Sequence, residues 1–401
     1  VLLNRGGYSY LTGPAVPGKE KQEAAPVPGG STPSLPWTVR VGSVVLDDNR
    51  AEYGLLNHRP AAGFDPSFIV LSTLDLAVDS IYNRGADIAL QIRRMAFTER
   101  SGLTVSDMTG DIGMDASGIS LAGVTLKTPF SRIEANISAG EGILALAPDS
   151  PLKADLMADV NTKDLKYLYP ALIPPVLDGR IVSLALTAAG TLGDIGKAGL
   201  DISSPGHVAF TPDGAARNVL DPGRMEASAR FEGDFRDMAF LEALLPDSAL
   251  RRRIAIPDRI RLRGTAGADK GAFSAASTLS TDGGEIALQG RLDTRSEAYG
   301  IELRCDSFPL NSFLPADSLG LLDLALQAGG SGFDPLRAQT RGNIRLQVDR
   351  AEFRGRDFGG VKLNANLEGG QLSGRLSDRD EALRLLLLIS GTLTERKQEV
   401  R

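Results

Sequence analysis

The feature that most constrains this chain is a period-two alternation of apolar and polar residues that keeps returning. Ile344, Leu346 and Val348 alternate with Arg345, Gln347 and Asp349, and Val361, Leu363, Ala365 and Leu367 alternate with Lys362, Asn364, Asn366 and Glu368. Tyr299, Ile301, Leu303 and Cys305 repeat the pattern, with Glu302 and Arg304 in the gaps. Successive side chains of a strand point to opposite faces, so this spacing makes pleated strands with one greasy face and one wet face. Strands of this kind, laid side by side, build a continuous apolar surface. What covers that surface is the functional question.

Bulk properties narrow the classes. The 401 residues suffice for a large core, or for a repetitive fold that never closes into a globule. A formal net charge of −6 gives no overall electrostatic case for nucleic acid. The lone cysteine, Cys305, excludes an internal disulfide framework; such a chain suits an oxidising compartment such as a periplasm, and many cytosolic proteins share this composition. No stretch approaches the ~20 apolar residues that span a bilayer; Leu383 to Ile389 is short and interrupted by Arg384. The chain starts without an initiator Met or a signal-peptide core and is read as a fragment, with any membrane anchor upstream.

Residues 1–36 read as loop or linker, because 13–36 are rich in Pro, Gly and Ala, and ordered sequence is expected from Trp37. Residues 37–150 form an N-terminal β segment with hairpin signals at Asn83-Arg84-Gly85 and Asp115 to Gly118, and a turn is expected at Asp47-Asp48-Asn49. A looser repeat follows, divided as 151–222, 223–296 and 297–401, the last with a truncated C-terminal edge. Each copy has an alternating strand, a short Pro-terminated apolar segment, another strand and a Gly turn. The segments beginning at Asp164, Asp237 and Ser307 are spaced 73 and 70 residues apart. They are expected to form one or two helical turns. Phe240, Leu241, Leu244 and Leu245 have the spacing of a compact helical face, which would either cap an open sheet or serve as a connector packed on an ordinary core. The Gly turns are placed at Gly190 to Gly193, Gly264 to Gly267 and Gly330 to Gly332.

Chemistry is hard to find in this sequence. His58 and His207 sit in loop-like contexts without ligand-spaced partners, so neither a metal site nor a catalytic triad is proposed. Asp47-Asp48 and Asp378 to Glu381 fit turn chemistry better than paired catalytic carboxylates. Gly329-Gly330-Ser331-Gly332 lacks the Lys-Ser/Thr of a phosphate loop. Arg251-Arg252-Arg253 reads as a solvated patch, with contact to acidic headgroups as its alternative. Asn136-Ile137-Ser138 matches a glycosylation sequon on what reads as a plain strand.

The alternating strands, the D-L-x-x-L-x-P phrase at Asp164 to Pro170 and the G-T-L-G phrase at Gly190 to Gly193 resemble the AsmA-like superfamily, and within it the TamB branch of translocation and assembly module proteins. The segment Leu121 to Ala135 is similar to the L-x-T-x-x-S-x-I segments of TamB-like proteins from Bacteroidetes-type bacteria. The resemblance spans residues 37–396. It implies a mostly β chain, an elongated repetitive antiparallel sheet curled into an open apolar groove (a β-taco) with short helical segments. By the same resemblance the protein is periplasmic and anchored to the inner membrane through a missing N-terminal region. A missing C-terminal region would meet an outer-membrane barrel of the BamA/TamA type.

The implied function is phospholipid transport between the two membranes, outer-membrane protein assembly and secretion, or both. No cofactor, metal, nucleic acid or catalytic residue is expected. Phospholipid acyl chains would lie on Ile286, Leu288, Ile301, Leu303, Ile344, Leu346, Val348, Val361 and Leu363. The alternative is a structural or adhesive β-repeat protein whose sheets close on a dry core. A β-helix polysaccharide hydrolase would need paired carboxylates on adjacent rungs, and none align.

Overall fold

Alternating segments joined by tight turns pair with their neighbours in sequence, and this chain does so almost without interruption. The computed structural model describes residues 2–5, 8–11, 38–55, 58–85, 87–116, 118–140, 148–171, 173–245, 248–379, 384–394 and 397–400. The linker expected at 12–36, Trp37, Pro246, Asp380, Glu381 and Leu383 lie outside the described residues. The chain forms two compact units, Val1–Ala185 and Leu186–Arg401. Both are mostly antiparallel β, as expected.

In the first unit, β1 (Leu2–Arg5) pairs with β2 (Tyr8–Leu11) as a short hairpin, within the stretch expected as loop or linker. Then come β3 (Thr38–Gly54), β4 (Phe68–Arg84), β5 (Asp87–Glu99), β6 (Thr104–Asp115), β7 (Gly118–Lys127), β8 (Arg132–Gly140) and β9 (Pro151–Asn161). Each of these pairs antiparallel with the next. Among the described residues the first helix is α1 (Thr162–Leu168), which Asn161 caps by accepting the Lys163 amide. β10 (Ile181–Thr191) crosses the boundary between the units.

The second unit is itself a meander. Its strands are β11 (Ile195–Ser204), β12 (Val208–Arg217), β13 (Glu226–Arg236), β14 (Arg259–Asp269), β15 (Ala272–Ser280), β16 (Glu285–Asp293) and β17 (Ala298–Pro309). They are followed by β18 (Leu319–Ser331), β19 (Arg341–Phe353), β20 (Arg356–Phe358), β21 (Val361–Glu368), β22 (Gln371–Arg379), β23 (Arg384–Thr394) and β24 (Lys397–Val400). The short β20 pairs with one end of β19 and β21 with the rest. Each unit's sheet is open, as a curled groove requires.

Helical insertions follow β9, β13 and β17. After β13 come a 3-10 helix, Met238–Leu244, and α2 (Ser248–Arg253); after β17 come α3 (Leu310–Phe313) and a 3-10 turn, Pro315–Asp317. The repeating element is therefore four strands and one insertion. Four strands of up-and-down return the chain to the same end of the strands, so the insertions after β13 and β17 share one rim of the second unit. There Phe308 and Phe313 stack with ring centroids 5.1 Å apart, and Arg253 pairs with Asp317.

Three sequence expectations are corrected. Asp47-Asp48-Asn49 is a bulge inside β3, with Asp48 at φ 50 and its amide donating to Asp75 Oδ1 at 3.0 Å. Gly264 to Gly267 lies within β14 instead of forming a turn, because the Phe231 ring of the adjacent strand lies where a Gly264 side chain would stand. The segment holding Phe240 to Leu244 is a 3-10 helix, which does not gather i and i+4 on one face, and Leu244 stays exposed.

Bulges explain how β7 keeps its apolar face inward when the pattern changes phase between Leu121 and Val124. The ladder to β8 shifts register there, and Gly123 at φ 57 supplies the backbone that the shift requires.

Burial differs between the units. Among the described residues, eight of the ten apolar residues of the buried core belong to the first: Val70, Leu74, Val78, Ile92, Val105, Ala135, Ala139 and Ala158. In the second, Cys305 and Phe308 are the buried members of that group. Among the described residues no large side chain is fully buried.

Candidate functional site

The register of the second unit places apolar residues from successive strands on common rungs. Leu288, Leu303, Leu326, Leu346, Leu363, Leu376 and Leu387 are direct cross-strand partners in turn, one from each of β16, β17, β18, β19, β21, β22 and β23. On one side runs the rung Ile286, Cys305, Leu324, Val348 and Val361. On the other runs Gly290, Ile301, Ala328, Ile344, Ala365 and Gly374, ending at Ile389. Strands lie ~4.8 Å apart, so the leucine row is about 29 Å long.

All nine residues expected to line an apolar surface therefore fall on three adjacent rungs of one face. Leu324, Leu326, Leu376 and Leu387 belong to the same surface and were missed. The signal for the first two was present, because Leu322, Leu324 and Leu326 alternate with Asp323, Ala325 and Gln327.

This face is not a dry core. Leu288, Ile301 and Ile344 are 39%, 44% and 43% exposed. The residues between them on the opposite face are polar and exposed, including Gln289, Glu302, Arg304, Arg345 and Lys362. In β23 the alternation lapses: Leu385, Leu386, Leu387 and Leu388 are all exposed, so this strand is apolar on both faces. Burial raises the Cys305 thiol pKa above its ordinary value, leaving it a neutral apolar group at neutral pH.

Around the apolar rungs, glycine makes room for aromatic rings. A side chain at Gly330 would stand 2.9 Å from Tyr299 Oη, and the Tyr299 ring stacks on Phe333 at 6.4 Å. Gly329 to Ser331 is the end of β18, with the turn at Gly332.

The first unit carries a polar cluster at one end of its sheet. α1 is held there by Asp164, whose carboxylate accepts from the Thr128 and Ser131 hydroxyls, and by Phe64, whose amide donates to the Leu168 carbonyl at 3.0 Å. Arg100 Nη2 donates to the Ala61 and Gly63 carbonyls at 3.0 and 2.9 Å. Buried Asp65 accepts the Ala61 and Ser67 amides and lies 2.7 Å from His58 Nε2. The Ala61 amide, His58 and the Ser67 amide lower its pKa to about 2 against a smaller opposing effect of burial. His58 thus orders a loop. No group of His, Cys, Asp and Glu residues able to hold a metal ion occurs among the described residues.

Elsewhere, Arg236 and Arg259 hold the Asp234 carboxyl well below the usual carboxylate range, a tie across β13 and β14. Among the described residues no helix is long and apolar enough to cross a membrane.

Fold and surface together define a class, the open antiparallel β-repeat protein with a long exposed apolar face. No family model, curated protein or solved structure matches the chain.

Proposed function

We propose that the apolar face of the second unit is a conduit surface for phospholipid acyl chains, in a periplasmic protein of the TamB and AsmA-like kind. The observation that carries this reading is the row of seven cross-strand leucines, flanked by Ile301 and Ile344, which remain more than two-fifths exposed. A dry-core β-repeat protein would bury these positions.

The physics needs no catalytic group. Exposing an acyl chain of ~16 carbons to water costs about 13 kcal/mol, at ~0.8 kcal/mol per methylene. An uninterrupted apolar row removes most of that barrier for movement along it. Each leaflet of a bilayer contributes ~15 Å of hydrocarbon, so a 29 Å row holds about two chains end to end. In this reading an inner-membrane anchor and an outer-membrane barrel of the BamA/TamA type stand at the two ends of the path, and protein assembly or secretion is the alternative cargo.

The test is lipid extraction and native mass spectrometry of the purified chain. Phospholipid should co-purify, and Leu326→Asp with Leu363→Asp should abolish its retention while the circular dichroism spectrum stays β. A chain free of lipid that also fails to take up a fluorescent phospholipid from vesicles would end this reading.

A further inference from the structure

The face opposite the leucine row carries a second pattern. On its three central rungs, from β16 to β22, stand five cations, Arg291, Arg304, Arg345, Lys362 and Arg375, against one acid, Glu302. The whole chain has a net charge of −6, so this is a local reversal of sign. The structure contains many ion pairs, yet none of these five side chains takes part in one among the described residues. All five are exposed. Unpaired like charges on neighbouring strands repel, which a bound anion would relieve.

Uncharged hydrogen-bonding groups share these three rungs with the cations, and the flanking rungs carry the acids Glu285, Asp293, Asp306 and Glu368. Gln289, Gln327, Asn343, Asn364 and Asn366 lie on the same rungs, each able to donate and accept. Gly300 and Gly329 pair on the Arg291 rung, where the Arg291 side chain lies over Gly300 and Asn343 Oδ1 approaches Gly329. Two adjoining depressions of ≈ 480 and ≈ 610 Å³ share Ser274, Arg291, Gly329 and Asn343.

We infer that this polar face binds an extended acidic polysaccharide. Guanidinium groups match carboxylates in paired hydrogen bonds, and the amides and Glu302 match vicinal hydroxyls as donors and acceptors. The strip crosses six strands, about 24 Å, long enough for several sugar residues in a row. Single-stranded nucleic acid fits less well, because these rungs carry no aromatic side chain on which a base could stack. An anionic bilayer fits less well too, because from β16 to β22 they carry no large apolar side chain to insert between lipids. The inference is independent of lipid on the opposite face.

The experiment uses the full chain and fluorescent polygalacturonate oligomers, with anisotropy read at low and moderate salt. Dextran, a single-stranded oligonucleotide and phosphatidylglycerol vesicles serve as comparison ligands. Polygalacturonate should bind in preference to all three and weaken as salt rises. Replacing Arg304, Arg345 and Arg375 by Gln should weaken it at least about tenfold. A control with Arg50, Arg93 and Arg132 changed to Gln alters net charge equally in the first unit and should change affinity less than about threefold. The inference is overturned by no binding at low salt, by equal losses in the two variants, or by tighter binding of the oligonucleotide or the vesicles.

Discussion

Substituting Ile344 by Ala asks directly whether the leucine-row face is covered. Ile344 is 43% exposed, so it retains just over half of the burial that a core isoleucine would have. Full burial of such a side chain contributes ~1.5–3 kcal/mol, which puts the cost of Ile344→Ala near ~1 kcal/mol. No cavity term is added, because the vacated space opens to solvent. The reference substitution is Leu74→Ala in the first unit, where the side chain is only 5% exposed and truncation costs about 2–5 kcal/mol. Thermal unfolding followed by far-ultraviolet circular dichroism measures both. For a unit the size of the second, ~1 kcal/mol lowers Tm by roughly 2–4 °C. If Ile344→Ala costs as much as Leu74→Ala, a packed layer covers this face and the conduit argument fails.

Gly330→Ala should destabilise by a few kcal/mol, because its Cβ would collide with the Arg341 carbonyl and Tyr299 Oη, whereas Gly290→Ala, with nothing within 4 Å, should be neutral or stabilise by about 0.5–1 kcal/mol; chemical denaturation of both variants checks the contrast. Asp164→Ala should cost about 1–3 kcal/mol by orphaning the Thr128 and Ser131 hydroxyls, and hydrogen exchange should show α1 losing protection first. Asp65 has a folded pKa of about 2, below its unfolded value, so its contribution is present above about pH 4 and is lost as pH falls from 4 towards 2. Exchange of the Ala61 and Ser67 amides should rise through that window in the native chain and be insensitive to it in Asp65→Asn.

Much of this architecture is legible in the sequence. The period-two runs at 299–305, 344–348 and 361–367 are strands, and the Pro-terminated segment at Asp164 is a helix. Gly264 to Gly267 misled because glycine marks both turns and places where a neighbouring ring needs room; the ring, Phe231, comes from a strand more than 30 positions earlier in the chain. Asp47 to Asn49 misled for a related reason, since turn residues also serve at bulges, and only pairing with β4 distinguishes the two. The basic strip went unseen because its five cations are scattered over residues 291–375 and are outweighed in the net charge.

Alternation along a strand is a local property, set by the pleat, and it determined by itself that the chain would be β and that each strand would have a greasy side. Alignment of seven leucines from seven strands is a property of register. It depends on turn lengths and bulges that place each strand against the next, so only the tertiary structure decided it. Exposure was decided there too. Val78 and Ile344 sit in similar alternating patterns, yet one is buried in the first unit and the other lies open on the second. Whether an apolar face is covered depends on what long-range contacts bring against it, and period two carries no information about that.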